Sequence, residues 1–384
     1  MRYPDLLRQP TRFAAMPGRA AQAIWAILAA LFLWGTAASW IVVGPSRPVV
    51  VAVQPMGAPI DRDAAGQGDI HLYQTIIDDV RAGKGYYAAA AQELRTQDYP
   101  LRPFVAFRLP TLAMALAAMP DFIGCMTLAL LCGAVILAWT QRIGPTFKRQ
   151  EMAAPVSLLL MLGCVTIGNP TLTVFHESWA ALLLALALAV HRPARFPRLW
   201  WPSVLLALLA VLIRELALPF LLLMAALALY QRRRTEATGW IAAIALFGIA
   251  LALHAHQVAL VTTAADPASP GWAAMGGWTY FIASVHMSTV LTYLPTPFAA
   301  AAVPLALLGW AAWRDSSGLA TFLFLSGFAL LMMLAGRPDN FYWAVMVDPL
   351  LLTGLIFVPA ALRDLALAAR APRRRDIALT PASD

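Results

Sequence analysis

The chain has 384 residues, 60% of them hydrophobic and 12% charged, with a mean hydropathy of +0.68 and a formal net charge of +8. So few polar side chains exclude a soluble domain, which must cover itself with them. Three cysteines, all within apolar runs, give no disulfide framework and no CxxC metal or redox spacing, and read as small buried apolar residues.

Apolar runs near the roughly 20 residues that a helix needs to cross hydrocarbon recur from residue 20 to residue 360. Helices satisfy their own backbone in lipid, so the predicted fold class is an all-α polytopic membrane protein. A tail, 1–19, carries Arg2, Arg8, Arg12 and Arg19 and precedes the first run, 20–43. That run exceeds the about 7–15 residues of a secretory apolar core and reads as an uncleaved span. A long loop, 44–120, follows. Within it Ile70, Tyr73, Ile77 and Val80 recur at helical spacing, with Asp69 at the start and Gly83-Lys84-Gly85 at the end. The apolar stretch 104–119 is interrupted by Arg108 and Pro110 and is placed at the interface or as a re-entrant segment. Nine further spans are predicted at 121–140, 153–169, 177–190, 199–213, 216–230, 239–261, 298–313, 319–335 and 341–360, about ten in all. A second loop, 262–297, contains 278–294, placed like 104–119. Short turns lie near 168–176, 214–215 and 336–340, and a basic tail covers 361–384. The chain thus forms a single transmembrane domain, 20–360, between two tails.

Charge distribution supplies the orientation. The N-terminal tail, the connections around Arg142, Arg192, Arg232 and Arg314 and the C-terminal tail hold 19 of the 28 Lys+Arg and 7 of the 20 acids. The remaining segments hold 9 and 13. This asymmetry places both termini in the cytoplasm and the loops 44–120 and 262–297 outside. The basic surplus therefore orients the protein rather than binding nucleic acid. The stretch 199–230, with basic clusters at both ends, reads as a hairpin with Arg214 and Glu215 at its outer turn.

With this topology the unusual polar residues converge on the outer side: Asp69, His71, Arg102, Arg108, His176-Glu177, Arg214-Glu215, Arg337 with Asp339, and Asp348 in the last span. Ionisable groups at membrane depth are costly and tend to face a partner or a cavity. An acid near several arginines suits a phosphate-bearing substrate, because guanidinium binds phosphate in a two-point fork while the carboxylate accepts a proton. Structural readings stand beside these. Asp69 after Gly68 fits a helix cap, Arg214-Glu215 fits an ion pair closing the hairpin, and Glu177 fits a helix start. Tyr86-Tyr87, Trp272, Trp278 and Tyr280 read as interfacial aromatics. His254 and His256, two apart, point to different helix faces. Arg373-Arg374-Arg375 reads as a topology determinant.

The string GDIHLYQTIIDDVRAGKGYY, followed by DYPLRPFVAFRLP, resembles the first extracytoplasmic loop of the type C (GT-C) glycosyltransferases, membrane enzymes that use polyprenyl-phosphate-linked sugars. Asp69, Tyr73, Gly83, Tyr86, Pro100 and Pro103 carry the match: an Asp opening the loop's first helix, an aromatic four residues on, Gly-x-x-Tyr and a Pro-rich strip. NPTLTVFHESWAALLLALAL and LIRELALPFLLL look similar to uncharacterised bacterial membrane proteins assigned to cell-surface glycopolymer formation. The resemblance covers mainly 66–112 and the general layout. Many relatives carry a second acid after the loop Asp, where Ile70 stands here. A lone carboxylate holds a divalent cation poorly, and Asp61 and Asp63 upstream would have to supply further ligands.

The resemblance implies an inverting sugar transfer in the bacterial inner membrane, working on the periplasmic face. Asp69 would be the general base on an acceptor hydroxyl. Arg337, with Arg102, Arg108 or Arg214, would stabilise the departing carrier phosphate, with Tyr73 and His71 beside them and His176, Glu177, Glu215, Asp339 and Asp348 in support. The implied partners are a polyprenyl-phosphate-linked sugar, membrane lipid and an envelope glycan, lipid or protein acceptor. Rival readings are a transporter or flippase for a lipid-linked envelope component and a non-catalytic partner in glycan assembly.

Overall fold

The computed structural model describes residues 7–41, 68–192 and 198–370. Arg2, Asp61, Asp63, Arg195 and the Arg373-Arg374-Arg375 cluster lie outside the described residues. Regular structure among the described residues is helical, and extended pairing is limited to two isolated bridges, Leu7 with Phe147 and Arg102 with Ala268.

Helix α1, Gly18–Thr36, continues into a 3-10 turn, Ala37–Trp40. The first loop holds α2 (Asp69–Arg81), α3 (Tyr86–Thr96) and α4 (Pro110–Ala117). There follow α5 (Asp121–Ile143), α6 (Ala153–Cys164), α7 (His176–Val190), α8 (Trp201–Ile213), α9 (Leu218–Tyr230) and α10 (Arg234–Val261). The last third holds α11 (Gly277–Ser288), α12 (Thr296–Ala312) and α13 (Ser316–Ala335). A 3-10 segment Pro338–Met346, α14 (Asp348–Leu351), a 3-10 segment Leu352–Phe357 and α15 (Val358–Arg370) complete it.

A helix begins in or beside each of the ten predicted stretches. Among the described residues, five helical segments are long and apolar enough to cross a membrane: Gly18–Trp40, Asp121–Thr146, Arg234–Val261, Ser316–Ala335 and Asp348–Arg370. The other apolar helices have 10–17 residues. Apolar side chains point outward from the long helices, among them Leu33, Leu130 and Leu253, as lipid-facing positions do. At the centre stands α7, with 13 of its 15 residues buried; a helix apolar all round belongs there.

Helix α2 buries Leu72, Tyr73, Ile76 and Ile77. The predicted stripe is therefore rotated by part of a turn, and Ile70 is exposed. Its end is as predicted: Gly83 has φ +97°, a conformation costly for any residue with a Cβ, and closes the helix. The stretch 104–119 forms a 3-10 turn and the eight-residue α4, about 12 Å long and unable to span. In the stretch 278–294, α11 packs among α1, α12 and α13, and Trp278 and Tyr280, expected as interfacial aromatics, are buried together with Phe281 and Ile282. Lipid and protein core select the same apolar residues, so composition cannot tell these places apart. Tyr86 is likewise buried. Of the cysteines, Cys164 is buried, Cys125 and Cys132 are half-buried, and all are free. His254 is buried against Tyr87 (O to Nδ1 3.1 Å), whereas His256 faces outward.

Polar links join the predicted cytoplasmic connections at one end of the bundle. Thr11 donates to Asp364 (2.9 Å), and Arg12 reaches the Trp313 carbonyl (2.8 Å) and that of Asp315 (2.7 Å). Arg142 meets Asp315 (3.3 Å) and the carbonyl of His191 (2.7 Å), and His191 pairs with Glu236 (2.7 Å), which also holds Arg233. Trp200 at the start of α8 lies against Gly239 near the start of α10. Helix α9 ends four residues before α10 begins, so both ends of 199–230 sit at this basic end. The segment is a hairpin whose tip, Arg214-Glu215, lies about 20 Å away, since each arm has 13 residues.

At the other end the loops tie together. Arg95 clasps Asp266 (Nε–Oδ1 and Nη2–Oδ2, both 2.8 Å), and this pair with the Thr263 N–H holds the Asp266 carboxyl well below the usual range. Arg102 donates to the Asp266 carbonyl (2.8 Å), and Arg337 Nη1 to the Pro270 carbonyl (2.7 Å).

Helix α12 and segment 352–357 meet backbone to backbone. A Cβ on Gly309 would fall 1.9 Å from the Gly354 carbonyl oxygen, and one on Gly354 would fall 2.1 Å from that of Ala306. Gly309→Ala or Gly354→Ala is expected to destabilise the bundle by about 1–3 kcal/mol or more through overpacking. Gly133→Ala, where the Cβ meets open space, should be neutral; melting of the purified variants in detergent checks the contrast.

Candidate functional site

Helix α2 starts at Asp69 because Gly68 is extended (φ −154°) and supplies no side-chain cap. The Asp69 carboxylate instead accepts from the Tyr99 hydroxyl (2.9 Å), 30 residues on, so the capping role does not hold among the described residues. Burial pushes this carboxyl above the usual carboxylate range. The charge of Arg108 and the Tyr99 hydroxyl pull it down, and Glu177 and Asp339 push it up.

One turn after Asp69, Tyr73 faces inward and its hydroxyl accepts from Arg108 Nε (2.8 Å). The Arg108 guanidinium carbon lies 5.7 Å from the Tyr73 ring centre, and Nη2 donates to the Tyr342 hydroxyl (3.2 Å). Tyr86 donates to the Arg108 carbonyl (2.6 Å), fixing the backbone from which the side chain springs. The guanidinium also faces Glu177 and Glu215, each at 3.9 Å, too far for a hydrogen bond.

Those two carboxylates belong to Arg214. Its Nε donates to Glu177 (2.6 Å) and its Nη1 to Glu215, with Arg214 and Glu177 almost fully buried. Arg214 is thereby held between two carboxylates, whereas Arg108 donates at hydrogen-bond distance to the Tyr73 and Tyr342 hydroxyls. His176, which opens α7, stands edge-on to Tyr73 (ring centres 5.1 Å). Phe175 packs edge-on to Tyr342 (5.2 Å). Three carboxylates, Asp69, Glu177 and Glu215, thus gather with two guanidiniums on α2, α7, the hairpin tip and the loop before α4.

The remaining predicted residues are placed differently. His71 is exposed on α2. Arg102 is used in joining the two loops. Arg337 is held by Asp339 in a two-point pair (3.0 and 2.9 Å) and by Ser269 and Pro270. Asp339 acts on Asp69 only through space. Asp348 is fully buried beside α6, facing Ser288. Tyr99 and Tyr342 were not singled out in the sequence; their only signal is that each is an aromatic beside a charged or prolyl turn. Among the described residues no group of three or more His, Cys, Asp or Glu is arranged to hold a metal ion.

The arrangement offers a half-buried carboxylate of raised proton affinity and a guanidinium fixed by two tyrosine hydroxyls, with two carboxylates 3.9 Å away. It defines a helical membrane protein with its polar centre at one end of the bundle. Comparison with protein-family models, curated proteins and solved structures finds no match.

Removing one partner of a buried ion pair strands the other charge. Glu177→Gln is expected to cost about 3–5 kcal/mol. Glu215→Gln, at a side chain 26% exposed, should cost less. Detergent melting of both variants checks the order.

Proposed function

We propose that the protein is a membrane glycosyltransferase that moves a sugar from a polyprenyl-phosphate donor to an envelope glycan, lipid or protein acceptor on the extracytoplasmic face. The observation carrying this reading is the half-buried Asp69 within the electrostatic reach of Arg108, in the loop whose motif resembles that of the type C enzymes. The basic end of the bundle is the cytoplasmic one by the positive-inside rule, which leaves Asp69 on the side where lipid-linked sugars are used. Ten spans, both termini cytoplasmic and a bacterial inner-membrane location belong to the same reading.

The acceptor hydroxyl gives its proton to an Asp69 oxygen as its own oxygen bonds the anomeric carbon. The carbon–phosphate oxygen bond breaks on the opposite face, and its electron pair leaves with the carrier phosphate, inverting the centre. Arg108 takes up the charge that grows on that phosphate. The proton gained by Asp69 offsets this charge in a site already rich in carboxylates. Tyr73 and Tyr342 hold Arg108 in place, and Glu177 and Glu215 balance Arg214 behind it.

The test is the envelope glycan profile of a deletion strain carrying wild-type protein, Asp69→Asn or Arg108→Gln at matched expression. Wild type should restore the glycan, and Asp69→Asn should lower turnover by about 10²–10⁴-fold, the usual worth of a general base. Full restoration by Asp69→Asn sinks the catalytic reading and favours a transporter, flippase or assembly partner.

A second prediction concerns pH. A base must be unprotonated, so activity falls as pH drops through the Asp69 pKa. The Tyr99 hydroxyl lowers that pKa, so Tyr99→Phe should move the acid limb of the rate profile to higher pH. An unmoved limb would assign it to another group.

A further inference from the structure

Two adjacent residues of this centre carry polar atoms that the mechanism above does not use. His176 is 3% exposed, and neither ring nitrogen has a hydrogen-bond partner among the described residues. Glu177 gives Oε1 to Arg214, while Oε2, equally buried, has none. Buried polar groups in finished interiors are almost always bonded, and orphans next to one another at a site point to a ligand. Both sit on the first turn of α7, level with Tyr73 and Arg108, and both arginines of the centre act on His176 through space.

The chemistry of the orphaned atoms names the ligand class. A neutral imidazole donates from one nitrogen and accepts at the other, and the free carboxylate oxygen accepts. A hydroxyl is also donor and acceptor, so vicinal hydroxyls satisfy this set, whereas a phosphate supplies acceptors alone and would meet Glu177 Oε2 with repulsion. The ring of Phe175, tilted to Tyr73 and edge-on to Tyr342, supplies apolar surface beside these atoms, of the kind that suits the carbon face of a pyranose or furanose ring. We infer that His176 and Glu177 Oε2 form the subsite for the sugar ring of the donor, with His176 the residue that determines whether a sugar is recognised. This rests on the transferase reading and assigns the sugar and the phosphate to different residues, His176 and Arg108.

The experiment uses the purified full chain in lipid nanodiscs and measures equilibrium binding of bare undecaprenyl phosphate and of the same carrier bearing glucose, mannose, arabinose or N-acetylglucosamine. Wild type should bind one sugar-bearing carrier about tenfold or more tightly than the bare carrier. His176→Leu should bring that preference to within about twofold, while its affinity for the bare carrier stays. His176→Asn, which keeps a donor and an acceptor, should retain part of the preference and guards against misfolding of the leucine variant. Preference unchanged in His176→Leu overturns the subsite, as does wild-type binding that ignores the sugar. Wild type that binds no carrier in any form overturns the transferase reading together with it.

Discussion

The buried pair of Glu177 with Arg214 is the interaction on which the rest of this end of the molecule depends. It joins the first turn of the central helix α7 to the tip of the α8–α9 hairpin. Two charges so far from water need close geometry and further bonds, and Glu215 supplies them. The pair fixes the height of the hairpin tip and, through the 3.9 Å approaches of Glu177 and Glu215, the electrostatic floor beneath Arg108. Arg108 in turn holds Tyr73 and Tyr342, and through Tyr73 the helix that opens at Asp69.

The bundle is polarised in chemistry as well as in charge. At the basic end, guanidiniums are spent on carbonyls, on the buried acids Asp364 and Glu236 and on the exposed Asp315, which staples helix ends together. At the other end, carbonyl and carboxylate contacts of Arg95, Arg102 and Arg337 bind the two long loops to each other and to the 336–340 turn. These contacts roof the centre.

Much of the architecture was legible because apolar runs of helical length are a strong signal. The hairpin was legible because its length exceeds one crossing while its flanks share a charge sign. Asp69, Arg108 and Glu177 were legible as ionisable residues in apolar surroundings. What was not legible depends on pairings with no local period. Tyr99 meets Asp69 across 30 residues and Arg95 meets Asp266 across 171. Arg337 was legible as a charged residue in an outer turn, but its two-point pair with Asp339 was not. The burial of α11 was hidden because an apolar helix reads alike in lipid and in a protein core.

The two 13-residue arms of the hairpin expose Leu205, Leu209, Leu222 and Leu229 on their outer face, yet each rises only about 20 Å. A bilayer core about 30 Å thick cannot match that wall without dimpling toward it. Headgroups next to α8 and α9 are thereby drawn down toward the level of Arg214 and the polar centre. Hydrophobic mismatch at one wall of the bundle thus makes the local thickness of the surrounding membrane something that this hairpin sets.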